Sequence, residues 1–129
     1  MKYRDIIQVL LASTLFIFLD SFFLTSMSGH FNDLITGIQG EKISMRFIPT
    51  AITYIALIYG LYYFVLRENK SPLDAAILGW VIYLVYEGTN LAIIKGWTWK
   101  TLFIDGLWGG ILFGATTFLT YLLMRFIPA

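Results

Sequence analysis

Four long apolar runs alternate with short polar turns along this chain. They cover about Ile6–Met27, Phe47–Leu66, Leu73–Ile94 and Thr101–Met124, each close to the ~20 helical residues needed to cross a hydrocarbon core. A helix satisfies its own backbone in lipid, whereas spanning strands would read as segments of ~9–11 residues with alternating polarity. The pattern therefore predicts an all-α, integral membrane four-helix bundle, with residues 1–129 forming a single transmembrane domain. The stretch Ser28–Met45 is the only long loop. Within it Phe31, Leu34, Ile35 and Ile38 recur at i, i+3, i+4 and i+7. That spacing fits a short amphipathic helix over 31–39 lying on the membrane surface, and equally a loop with scattered apolar residues. Arg67 to Pro72 reads as a polar turn, with Pro72 suited to the first turn of the third helix.

The informative positions are the polar ones inside the runs. Asp20, Glu87, Thr89, Asn90 and Asp105 lie within or beside them, and a carboxylate at mid-membrane costs roughly 2.5–3.5 kcal/mol on insertion scales. Asp20 stands seven residues before Met27, and Glu87 stands seven before Ile94. At ~1.5 Å per residue both lie about 10 Å below the same side of the bundle. Asn90 and Asp105 are four residues from that boundary, about 6 Å deep on the same rise. Three acids from three helices thus fall in one leaflet, with Thr50, Thr53 and Tyr54 of the second run at matching depths.

Facing agrees with depth. Tyr83, Glu87 and Asn90 share one helical face, as do Asp105 and Trp108. Lipid rejects such groups, so these faces are expected to look into the bundle. Asp20, Tyr83, Glu87, Asn90, Asp105 and Trp108 are the candidate binding residues. No lysine or arginine lies deep in a run to neutralise the acids. At least one is therefore expected to be protonated or to share a proton. The alternative reading is that the same groups only tie helices together by hydrogen bonds. Gly106, Gly110 and Gly114, spaced by four, read as a seam for close helix contact. Trp97, Trp99, Tyr62 and Tyr63 read as interfacial anchors, and Trp108 as a wall of the polar site.

Composition narrows the function classes. The chain is 58% hydrophobic and 13% charged, against about 25% charged for soluble domains, so lipid must cover its surface. A net charge of +1 gives no electrostatic case for nucleic acid. There is no cysteine and only one histidine, His30, expected to be a polar loop residue; no metal site and no cofactor motif is visible. Lys2, Arg4, Arg67, Lys70 and Arg125 lie on the side of both termini, against Lys42, Arg46, Lys95 and Lys100 on the other. This five-to-four bias places both termini in the cytoplasm. Lys2 and Arg4 before an apolar core, with Ser26-Met27-Ser28 beyond it, also allow a signal-peptide reading, disfavoured by the length of the run and by Asp20.

One resemblance stands out. Leu19-Asp20-x-x-Phe23-Leu24, Tyr83-x-x-Tyr86-Glu87-x-Thr89-Asn90-Leu91-Ala92, Lys95-Gly96-Trp97 and Asp105-x-x-Trp108-Gly109, with a softer Tyr59-Gly60-Leu61-x-Tyr63-Phe64, resemble the small four-helix membrane proteins of domain-of-unknown-function family 2177. That family usually carries Trp where Phe23 stands and Asp where Glu87 stands. The resemblance implies a fold and a set of motif residues, without an established activity.

Three functions fit. The first is binding or translocation of a proton, a cation or a cationic lipid head group at the acidic site. The second is a structural or assembly subunit whose buried polar groups hold helices together. The third is a lipid-modifying membrane enzyme or its subunit, using Asp20, Glu87 or Asp105 as acid or base. The expected surroundings are the lipid bilayer, with a homo-oligomer or a membrane-enzyme partner.

Overall fold

The computed structural model describes residues 2–128, and helices dominate them. Helix α1 runs Tyr3–Ser26, α2 Ser28–Gln39, α3 Phe47–Leu61, α4 Pro72–Ile93 and α5 Trp99–Met124. One π-helical turn, Tyr62–Leu66, continues α3 without a break. Among the described residues four helices are long and apolar enough to cross a membrane: α1, α3 with its π turn, α4 and α5. The protein is a multi-pass, all-α integral membrane protein.

Local chemistry sets the ends of these helices. Ser71 caps α4 by accepting from the Asp74 amide, and Pro72 occupies the first turn, where its missing N–H costs nothing. Asn69 turns the chain before it with a φ of 51°. Gly96, at a φ of 97°, makes the tight connection from α4 to α5, a conformation that glycine adopts without strain. Thr98 then caps α5 through the Thr101 amide.

The middle of the bundle is apolar and aromatic. Phe16, Leu61, Val65, Ala75, Leu112 and Phe113 are fully buried together, with Phe16 and Phe113 packed edge to face at 5.4 Å. Outside this core, large apolar side chains such as Phe18, Phe22, Ile52, Ile55 and Phe103 are exposed, as a lipid-facing surface requires. Helices α4 and α5 make the most intimate pair. A Cβ added at Gly79 would strike the Gly109 carbonyl, one at Gly109 the Tyr83 side chain, and one at Gly110 the Trp80 indole. The Gly106-Gly110-Gly114 seam therefore faces α4, where Leu84, Trp80 and Ala76 fill the space. Gly79 and Gly109, outside the four-residue spacing, carry the closest backbone approach.

The stretch between the first two spans is helical over its first twelve residues. Phe31, Leu34 and Ile35 of α2 are half-buried, and Phe31 packs edge to face on Phe23 at 6.1 Å. His30, expected in a loop, instead sits on α2 and meets the Thr101 hydroxyl at 2.9 Å. The helical spacing that includes Phe31 extends back to Ser28, which carries His30 onto the face turned toward α5. At the opposite end of the bundle, Arg4 donates to the Ile127 carbonyl at 2.6 Å and the Pro128 carbonyl at 3.2 Å. The two ends of the chain therefore meet on one side.

Candidate functional site

Three acids lie at one level. Asp20 is six residues before the end of α1, Glu87 six before the end of α4, and Asp105 six after the start of α5. At ~1.5 Å per residue each is about 9 Å from its helix end. Asp105 is deeper than the sequence boundaries imply, because α5 begins at Trp99 rather than at Thr101. The Thr98 cap moves the start of the helix outward and the acid inward. Thr53 is also six residues into α3, and Tyr54 follows it.

Asp20 is 7% exposed and accepts two hydrogen bonds from two other helices. The Tyr54 hydroxyl on α3 donates to its Oδ2 at 2.5 Å, and the Trp108 indole on α5 donates to its Oδ1 at 2.9 Å. The Trp108 ring is itself held flat against Phe23, with centroids 4.5 Å apart and planes within 3°. Such geometry fixes the indole N–H on the carboxylate. Glu87 is 1% exposed and accepts from the Trp97 indole at 2.8 Å. Trp97 is thus no simple surface anchor: the Gly96 turn folds its ring back over the α4 terminus. Asp105 places its carboxyl beside that of Glu87, with Asp20 close by.

Asp20, Tyr54 and Asp105 border a cleft of about 420 Å³. Asp20 and Asp105 supply its acidic groups, and Tyr54, Tyr83 and Tyr86 supply aromatic walls. Its floor is the apolar core, since Phe16 packs edge to face on Tyr54 and Phe113 on Tyr83. Thr53 and Tyr86 border the cleft and are exposed although both lie within spans. The mouth therefore runs along the side of the bundle, between α3 and α4. Among the described residues no group of three or more His, Asp or Glu side chains has metal-ligand geometry.

Of the six sequence candidates, Asp20, Tyr83 and Asp105 border this cleft. Glu87 and Trp108 stand directly behind it, bonded to Trp97 and Asp20. Asn90 is half-buried one turn beyond Glu87, and its side chain makes no hydrogen bond among the described residues. Thr89 is exposed and its hydroxyl returns to the Val85 carbonyl at 2.7 Å. Tyr54, Tyr86 and Trp97 are site residues outside the candidate set. Depth alone already pointed to Tyr54; the inward turn of Trp97 follows from Gly96 and has no signal in hydropathy.

Farther along α5, the hydroxyls of Thr116, Thr117 and Thr120 are buried without a partner among the described residues. The apolar layer of Phe16, Leu112 and Phe113 is buried on the way to them.

A family model described as "Predicted membrane protein (DUF2177)" matches residues 5–122. The chain belongs to that family. No curated protein and no solved structure matches it. The residues that carried the resemblance to DUF2177 concentrate at this site: Asp20 and Trp108 bond each other, Glu87 and Trp97 bond each other, and Gly109 lets α4 approach.

Proposed function

We propose that this DUF2177 protein binds the cationic head group of a membrane-borne amphiphile in the acidic cleft. The observation that carries the reading is the convergence of carboxyls from α1, α4 and α5 beside a cleft whose mouth lies along the side of the bundle. A bare proton needs no space of about 420 Å³, whereas an apolar cleft with a few placed polar groups suits an organic ligand. A cation entering the cleft meets the carboxyls of Asp20 and Asp105, with that of Glu87 close behind them. The tyrosine faces of Tyr54, Tyr83 and Tyr86 add cation–π attraction for an ammonium group. The buried layer beneath the cleft favours binding over conduction.

A second reading has its own support. Asp20 joins α1 to α3 and α5 through its two hydrogen bonds, as expected of a residue that serves assembly alone. The two readings separate on Asp105, whose carboxyl takes no indole or phenol donor. Binding of dodecyltrimethylammonium to the purified chain, followed by tryptophan fluorescence, is the test. Asp105→Asn is expected to fold as well as the parent and to bind at least about tenfold more weakly, a difference of about 1.4 kcal/mol. Unchanged affinity in Asp105→Asn and Glu87→Gln, with folding retained, would leave the structural reading in its place.

A further inference from the structure

A second polar cavity lies at the other end of the bundle. Its volume is about 390 Å³, and Arg4, Arg67 and Arg125 all contribute to its walls together with Gln8, Tyr62 and Tyr121. Asp5 is the one carboxylate among its lining residues, so three guanidiniums less one carboxylate leave a charge of +2. Along α1, Arg4 and Asp20 are sixteen residues apart, about 24 Å at ~1.5 Å per residue. This pocket is therefore separate from the acidic cleft.

We propose that it holds the phosphate head group of an anionic phospholipid. Arg4 is half-buried, and its donors reach the Met124, Ile127 and Pro128 carbonyls at 2.6–3.2 Å. Those bonds satisfy hydrogens and leave the charge unneutralised, a state that a bound anion relieves. Arg67 pairs with its exposed neighbour Glu68 at 3.3 Å, the one ion pair among the described residues, and its guanidinium lies 4.0 Å over the exposed Tyr63 ring. Such surface pairs contribute little, so the guanidinium is available to a better anion. The π turn helps to place it. The Arg67 amide bonds the Tyr62 carbonyl at 2.8 Å, five residues back, and this wider turn brings Tyr62 and Arg67 nearer to one face than an α-helical turn does. Arg125 directly follows α5 and has no carboxylate partner among the described residues.

Position selects a lipid over a soluble anion. Arg4 lies at the first turn of α1, Arg67 just after the π turn and Arg125 just after α5. All three are at span ends, where head groups lie. Planar, forked guanidiniums match phosphate oxygens in pairs. Arginines that served only to orient the chain in the membrane would show no preference among head groups.

Native mass spectrometry of the full chain in detergent decides between these, with phosphatidylglycerol and phosphatidylcholine of matched acyl chains as probes. Phosphatidylglycerol is expected to bind at least about tenfold more tightly, about 1.4 kcal/mol, and Arg67→Gln with Arg125→Gln is expected to abolish the difference. Both side chains are exposed, and the double variant gives up only the Arg67 contacts with Glu68 and the Tyr63 ring, so it keeps its structure; Arg4→Gln is unsuitable because it frees the Met124, Ile127 and Pro128 carbonyls. Equal binding of the two lipids, or a preference that survives the double variant, would overturn the proposal. Displacement of the lipid by millimolar inorganic phosphate would overturn the assignment to a lipid.

Discussion

Replacing Gly79 by alanine adds a single methyl where α4 meets the α5 backbone. The new Cβ would lie on the Gly109 carbonyl oxygen, 2.8 Å from its carbon and 2.8 Å from Cγ of Phe113. A flexible side-chain tip can turn away, but a main-chain carbonyl moves only with its helix. Helices α4 and α5 must therefore separate, and Phe113 sits in the central core. Overpacking of this kind costs about 1–3 kcal/mol. Alanine returns about 1 kcal/mol through helix propensity, so the net loss expected is about 0–2 kcal/mol, and about 1–3 kcal/mol relative to an alanine in open space. Gly60 and Gly88 provide the control, because a Cβ there meets nothing within 4 Å. Alanine at either is expected to leave stability unchanged or to raise it by up to about 1 kcal/mol. Reversible unfolding in mixed detergent micelles, read by tryptophan fluorescence, measures all three. A Gly79→Ala chain as stable as Gly60→Ala would refute the close α4–α5 approach.

Other consequences are as direct. Trp108→Phe keeps an aromatic ring against Phe23 and removes the donor to Asp20, so it should lower stability by about 0.6–1.7 kcal/mol. A double-mutant cycle with Tyr54→Phe should show coupling, since both donors serve one carboxylate; additive effects would contradict the shared acceptor. Reporter tags on the two termini should mark the same side of the membrane, because Arg4 reaches the Ile127 and Pro128 carbonyls. Opposite sides in a protease-accessibility assay would rule out the four-span bundle.

The fold was legible where the physics is one-dimensional. Hydropathy locates membrane helices because each helix satisfies its own backbone and lipid demands an apolar exterior. Acids stand out in the same way, since each must find cover. The sum of rise per residue from a predicted helix end placed Asp20 and Glu87 well and left Asp105 too shallow, because hydropathy did not see the Thr98 cap that starts α5 two residues earlier. Pairing was not legible. That Trp108 serves Asp20 and Trp97 serves Glu87 depends on how helices cross and on the turn at Gly96, which a periodicity cannot express. The glycine seam shows the same limit: Gly106, Gly110 and Gly114 announce themselves by spacing, while Gly79 meets the Gly109 backbone without a repeat. The arginine pocket was seen only as a charge count, because its residues come from both ends of the chain and a turn in the middle.

The role proposed for the acidic cleft is to hold a cationic head group delivered from the bilayer. A density map of the protein in nanodiscs containing a long-chain quaternary ammonium amphiphile tests it most directly. Head-group density is expected between Asp20 and Asp105, against the faces of Tyr54 and Tyr83, with the alkyl chain leaving between α3 and α4. A cleft that stays free of the amphiphile, or closes so that α3 packs on α4, would contradict it.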